Sequence, residues 1–288
     1  MRTFHAIQIS DMHLSRTHPY FVHNWEVVLE HVNRAKPDLV LSTGDLTLNG
    51  AISDDDLGYV REQLDRIGAP VFAVPGNRDV GNNLPNIRNE YSINNASLER
   101  YHRLVGQDYW SVDEGDWRLI GIDSILFNSG LASETEQDEW LQSTLADKGA
   151  RSVAMFFHKP LYLQTPAEKR ITQACVMPNP RRQILKMIKS HDIRLISTGH
   201  LHEHRVRRLG RTLMLWAPAI AYIVNGIGGP KLGGRRRVGY MEYHFNGRNF
   251  RYSLCEPLDM INYDISNWMA AGRDVYTRNI EGPYRGLP

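Results

Sequence analysis

Short apolar runs alternate with amphipathic helical patterns through the first two thirds of the chain, and this alternation constrains the fold more than any other feature. Phe4 to Ile9 reads as a strand. Phe21, Trp25, Val28, Leu29 and Val32 recur at helical spacing, which predicts a helix over about 21–35. Leu39 to Leu41 is a second strand. Asp54 to Ile67 is a helix with acidic residues at its start, where the helix dipole favours them. Val71 to Val74 is a third strand. The pattern continues with strands at 117–122, 153–157 and 193–197, and helices at 134–145 and 181–188. Strands alternating with helices demand an α/β layered fold, because each sheet face needs an apolar helix stripe to cover it. After residue 203 the pattern turns to β. Segments 205–207, 213–216, 238–245 and 250–254 read as strands, Asn246-Gly247 is a hairpin turn, and this last third is expected to supply a second sheet. Gly81 to Ala96 and Phe127 to Ser133 read as irregular loops, the kind of segment that carries function in α/β domains.

Composition removes several classes. Lys+Arg number 34 against 32 Asp+Glu in 288 residues, a net charge of +2 that argues against a coat for nucleic acid or an acidic membrane. Two cysteines, Cys175 and Cys255, cannot build a disulfide framework or a four-thiolate zinc site, and are expected to be free thiols in a reducing compartment. The amino terminus lacks the apolar core of a signal peptide, and no apolar run approaches the ~20 residues of a membrane span. A cytoplasmic protein with no membrane or nucleic-acid partner is expected, its oligomeric state open to a homo-oligomer. The 12 histidines remain to be explained.

In open α/β sheets the functional crevice lies beyond the carboxyl ends of the strands. Asp11-Met12-His13 follows the first strand, Gly44-Asp45 the second and Gly76-Asn77-Arg78-Asp79 the third. His158 follows the strand at 153–157, and Gly199-His200-Leu201-His202 follows the strand at 193–197. Each motif alone is weak: Gly-Asp commonly caps a helix, and a lone histidine is commonly a core or loop residue. Five in succession, all oxygen or nitrogen donors, point to a metal site. If Gly-His-Leu-His is extended, its alternating side chains place both imidazoles on one side.

The ordered set Asp-x-His, Gly-Asp, Gly-Asn-x-Asp, lone His and Gly-His-x-His over about residues 5–205 resembles the calcineurin-like metallophosphoesterase superfamily. Within it, the chain is most similar to the bacterial class III cyclic-nucleotide and glycerophosphodiester phosphodiesterases. The resemblance implies a four-layer α/β/β/α sandwich, with a catalytic domain over 1–255 and an unassigned carboxyl-terminal extension over 256–288. It implies two metal ions, Fe, Mn or Zn, one held by Asp11, His13 and His202, the other by Asn77, His158 and His200, with Asp45 bridging. Imidazole and carboxylate donors suit such ions. It further implies cleavage of a small phosphodiester by a metal-bridging hydroxide, with a phosphomonoesterase of nucleotides or sugar phosphates, or a scaffold with a vestigial centre, as alternatives. Asp79 and Asp123 are expected to support the ligands or order loops.

The family places His after the Asn, where it contacts phosphate and donates a proton to the leaving group. Here that position is Arg78. A guanidinium does not give up its proton at ordinary pH, so Arg78 is a poor acid but a good phosphoryl ligand. Asn77 and Arg78 are therefore the expected catalytic and substrate-binding residues. The alternatives are an acid from His18, His23 or His102, or lost catalysis. Gly226 to Gly234 lacks the spacing of a phosphate loop and reads as a turn; Arg235-Arg236-Arg237 reads as a solvated face; Tyr20, Tyr162 and Tyr222 read as packing groups before base-stacking ones.

Overall fold

The structure, a computed structural model, describes residues 3–83, 91–225 and 232–270. The strands are β1 (Thr3–Ile9), β2 (Leu39–Ser42), β3 (Val71–Ala73), β4 (Trp110–Glu114), β5 (Trp117–Gly121), β6 (Ser152–Phe157), β7 (Ile193–Thr198), β8 (Arg205–Leu209), β9 (Thr212–Trp216), β10 (Tyr240–Asn246) and β11 (Asn249–Cys255). The helices are α1 (Val22–Ala35), α2 (Asp54–Leu64), α3 (Asn77–Val80), α4 (Asn95–Leu104), α5 (Ala132–Ala146), α6 (Pro178–Ser190) and α7 (Ile265–Ala270).

Two sheets form, in the orders β11-β10-β1-β2-β3 and β4-β5-β6-β7-β9-β8. The strands β1, β2 and β3 are mutually parallel, as are β5, β6, β7 and β9. The last third does not make a sheet of its own. Its hairpin β8–β9 completes the sheet built on β5 to β7, whereas β10–β11 adds antiparallel to β1 and completes the other.

Successive residues of a strand point to opposite faces, and both faces of the central strands are apolar. Phe4, Ala6, Leu39 and Leu41 of the first sheet meet Leu119, Ala154, Phe156 and Leu195 of the second in a shared inner layer. On the outer face of the first sheet, Ile7, Ile9 and Val40 pack on Trp25, Val28 and Val32 of α1 and on Leu57 and Val60 of α2. Outside the second sheet, Ile120, Val153 and Met155 pack on Leu141 and Leu145 of α5 and Ile184 of α6. The architecture is the four-layer α/β/β/α sandwich.

Two elements carry too little apolar signal to be read from sequence. Helix α4 buries only Ser97, Leu98 and Tyr101, and is held at its start by Asn94, whose side chain accepts the Ser97 N–H. Strand β4 is a short antiparallel edge on β5. Residues 256–270 fold back on the domain. The Asn24 side chain donates to the carbonyls of Ile220, Ala221 and Ile261 and accepts the Ile261 N–H, so α1, the 220–221 loop and this segment share one polar knot. Arg235 pairs with Glu256, and Arg236 with Glu203 at 3.0 Å, so these two members of the basic run are engaged. Residues 226–231 of the Gly-rich segment, Lys231 included, lie outside the described residues.

Candidate metal centre

The five strand ends named by the sequence meet at one place. The loop after β1 lies on the loop after β2, with Asp11 N–H donating to the Gly44 carbonyl (2.9 Å) and His13 N–H to the Asp45 carbonyl (3.0 Å). The loops after β6 and β7 join where the Gly199 N–H donates to the His158 carbonyl (3.0 Å). Asp11, His13, Asp45, His200 and His202 all have positive φ, at 53°, 47°, 49°, 73° and 51°. Lys36 and Asn128 are the other non-glycine residues in this region among those described. Left-handed backbone is costly for a residue with a Cβ, and such strain gathers where it aims functional side chains. The Gly-His-Leu-His segment is therefore not extended. Its two left-handed residues send His200 to one cluster and His202 to another.

Three glycines precede ligand candidates because neighbouring loops touch them. A Cβ on Gly199 would lie 2.0 Å from Ser10 Oγ and 2.5 Å from Asp11 Oδ2. One on Gly76 would lie 2.2 Å from Asp45 Oδ1, and one on Gly44, where φ is 90°, 2.5 Å from the Gly76 nitrogen.

Two donor clusters result: Asp11, His13 and His202, and Asp45, His158 and His200, each with ligand atoms within 4.8 Å of one another. In the first, His13 Nε2 is 3.2 Å from His202 Nε2, and His202 Nε2 is 3.3 Å from Asp11 Oδ1. In the second, His158 Nε2 is 3.0 Å from His200 Nδ1 and 3.2 Å from Asn77 Oδ1. Asp45 faces both: its Oδ2 is 3.7 Å from His13 Nε2 and its Oδ1 is 3.4 Å from His158 Nε2.

The tautomers follow from the partners of the remote ring nitrogens. A backbone carbonyl only accepts, so the ring N–H must point at it. His158 Nδ1 donates to Thr43 O (2.8 Å), His200 Nε2 to Gln173 O (3.0 Å) and His202 Nδ1 to Tyr222 O (2.7 Å). Each ring thus turns a bare lone pair into its cluster, the arrangement by which backbone acceptors prepare imidazoles for metal. Ring nitrogens 3.0 Å apart need a proton or a metal cation between them, and the donors fit a pair of metal ions.

The buried carboxylates make the site favour positive charge. Burial alone would raise the Asp45 carboxyl, but the surrounding His158, His13 and His200 rings hold it well below the usual carboxylate range. Burial likewise opposes ionisation of Asp11, and His202 outweighs it, leaving Asp11 lowered. Burial depresses His158, yet the Asp45 carboxylate brings it up to about 9. His13 falls to about 3 through burial, against the pull of Asp45 and with the push of His202 and Arg78.

Arg78 is half-buried, its backbone N–H donates to Asp45 Oδ1 (2.8 Å), and its charge is felt by His13. Asp79 ties the loops after β2 and β3, accepting from the N–H groups of Leu46, Thr47 and Gly76 and from the Thr47 hydroxyl. Asp123 orders its own loop, accepting the Ile125 N–H, while its N–H donates to Gln137 Oε1. Of the acid candidates, His23 bonds the Asp259 carbonyl (2.9 Å), His102 pairs with Asp108 (2.8 Å) and His18 bonds the Thr17 hydroxyl (2.9 Å). Tyr222 is buried against the His13 and His202 rings, Tyr162 donates to Met214 Sδ, and Tyr20 stands edge-on to Trp268.

Sequence reasoning missed the supports behind these residues. A buried relay runs from Gln8 Nε2 to Thr43 Oγ1 (2.9 Å), from Thr43 Oγ1 to Ser10 Oγ (2.8 Å) and from Ser10 Oγ to Asp11 Oδ2 (2.6 Å). Lys159, next to His158, donates its Nζ to the side-chain oxygens of Asn82 and Asn83 (2.6 Å each). None of these polar residues has a periodicity that marks it.

The sequence profile of the family described as Calcineurin-like phosphoesterase matches residues 4–204. A probable cyclic nucleotide phosphodiesterase of a Synechococcus strain is 25% identical over 198 residues, covering 67% of this chain and 69% of that protein. A probable glycerophosphodiester phosphodiesterase of Arcobacter nitrofigilis is 24% identical over 232 residues, covering 76% and 79%. Among solved structures, GAP50, described as the anchor in the inner membrane complex of Plasmodium, superposes with a TM-score of 0.63 over 99% of each chain at 12% identity, which shows shared fold alone.

Proposed function

The chain belongs to the calcineurin-like phosphoesterases, metal-dependent hydrolases of phosphoric esters, and from that premise we propose that it is a dinuclear phosphodiesterase acting on small substrates. Asp11, His13 and His202 would hold one ion, Asn77, His158 and His200 the other, and Asp45 would be shared between them. The observation that carries this reading is the position of Asp45, whose two carboxylate oxygens face histidines of different clusters. Bound at such a site, two cations supply Lewis acidity to a phosphoryl oxygen and activate water at neutral pH.

The protein's own groups do the rest. The carbonyl acceptors Thr43, Gln173 and Tyr222 hold three imidazoles in the tautomers that expose their lone pairs. Asn77 contributes a neutral oxygen, which limits the negative charge gathered in the cavity. Arg78 binds a phosphoryl oxygen and stabilises charge as it develops there, without donating a proton. Small phosphodiesters fit the names of the two relatives, and their alkoxide leaving groups take a proton from a source other than Arg78. A shared fold does not by itself decide activity, since an anchor protein has it too. The donor set supports an active centre in this chain, because clustered carboxylates and imidazoles left without a cation would destabilise it.

Purified protein is expected to carry at least two equivalents of a divalent or trivalent transition metal and to hydrolyse bis(p-nitrophenyl) phosphate. Asp45→Ala is expected to lose both ions and the activity together, read by elemental analysis and by release of p-nitrophenol. Retention of both ions in Asp45→Ala overturns the bridging assignment. Faster hydrolysis of p-nitrophenyl phosphate than of the diester makes the protein a monoesterase.

A further inference from the structure

Away from the strand ends, a second group of metal-ligating side chains lies on the outer face of the first sheet. His5 on β1 stands directly opposite His244 on β10, and Glu242 lies two residues along β10 on the same face. Their ligand atoms lie within 4.8 Å of one another. The two imidazole rings stack, with centroids 4.4 Å apart and planes at 13°. His5 Nε2 is enclosed without a hydrogen-bond partner among the described residues. It lies 3.7 Å from Glu242 Oε1, too far for a hydrogen bond. Donor atoms around one tetrahedral zinc, with bonds of about 2.0–2.2 Å, stand roughly 3.3–3.5 Å apart. Contraction by a few tenths of an ångström thus converts this pair into two ligands of one ion.

The face is reachable. His244 is exposed, and a cavity of about 410 Å³ opens beside the histidine pair with Asp38 and Arg251 among its lining residues. Asp38 accepts the His5 backbone N–H at 2.7 Å and adds a second carboxylate near the group. His5 lies about 13 Å, at ~3.3 Å per residue, before the end of β1 at Ile9, and Asp11 lies beyond that end, so the group is separate from the dinuclear centre.

We propose that His5, Glu242 and His244 form an auxiliary site for one divalent ion of the zinc class. Two imidazoles and one carboxylate are a zinc donor set, with a fourth position left for water. The ion ties β1 to β10, the junction where the start of the chain meets its last hairpin. The inference does not depend on the dinuclear reading.

Wild-type protein, His244→Ala and Glu242→Gln are dialysed against buffered, low-micromolar zinc, and zinc per chain is counted by elemental analysis. Each variant is expected to carry one equivalent less than wild type while hydrolysing bis(p-nitrophenyl) phosphate at the wild-type rate. Zinc should also raise the melting temperature of wild type more than that of His244→Ala. His244 is exposed, so its truncation removes no core packing, and circular dichroism verifies that the variants are folded. Equal zinc content in all three proteins overturns the proposal. The count holds even for a chain that proves inactive, so failure of the phosphodiesterase reading and failure of this one are separately visible.

Discussion

At Arg78 the chain carries a guanidinium where the resemblance read from the sequence implies an imidazole, and the two differ in what they do with a proton. Arg78 lies at the proposed centre, its N–H on Asp45 and its charge on His13. A group that binds the phosphoryl oxygen but donates no proton forgoes general acid help, worth about 10²–10⁴-fold. Rates on a series of aryl and alkyl diesters are therefore expected to fall steeply as the leaving-group pKa rises. Arg78→Ala is expected to lower kcat/KM about 10–100-fold, as removal of a charge-assisted hydrogen bond of about 1.5–3 kcal/mol implies. A flat leaving-group dependence would show that another residue supplies the acid. The candidate donors could be picked out in sequence because each lies in the segment that follows a strand. The histidine tautomers could not, since they depend on carbonyls at Thr43, Gln173 and Tyr222, remote in the chain.

Loops after parallel strands carry the centre, and glycines let those loops touch. Gly199 has no room for a methyl group, because its Cβ would overlap Ser10 Oγ and Asp11 Oδ2. Gly199→Ala is expected to displace the Asp11 carboxylate, lose metal and destabilise the fold by about 1–3 kcal/mol, read by elemental analysis and urea unfolding. A variant with full metal content and activity would show that Asp11 tolerates the shift. Helix α4 gives a pH test. The hydrogen bond to Asp108 raises His102 above its ordinary value, against the opposing effect of burial. A folded-state pKa above the unfolded one means stability that is fully present below about pH 6.5 and is lost as pH rises through the folded pKa. His102→Asn is accordingly expected to lower the urea midpoint at pH 6 and to leave it nearly unchanged at pH 9. Equal effects at both values would mean that charge on His102 contributes nothing. Sequence periodicity found the helices with apolar stripes and passed over α4, which is held by its Asn94 cap and three buried residues.

At the scale of the whole molecule, residues 256–270 pack on the domain rather than apart from it. Met260 joins the core between the first sheet and its helices, and Ile265 packs with Phe21 and Tyr222. Among the described residues no helix is long and apolar enough to cross a membrane. Ending the chain at residue 255 removes, among the described residues, two buried apolar side chains, Met260 and Ile265, each worth about 1.5–3 kcal/mol, together with the contacts of Ile261 in the Asn24 knot. The shortened protein is expected to melt at a lower temperature and to hold metal less well, because the loop that orients His202 through Tyr222 O loses its support. An unchanged melting temperature would make 255 a true domain end. By itself the sequence determined the alternation of strands and helices, and with it the α/β class and the candidate donors at five strand ends, because periodicity and position after a strand are local properties. Only the tertiary structure decided that the last third divides between two sheets, that His200 and His202 part to different clusters, and that Asp45 faces both. Those outcomes depend on left-handed backbone, glycine contacts and hydrogen bonds between segments far apart in the chain, which no local pattern encodes.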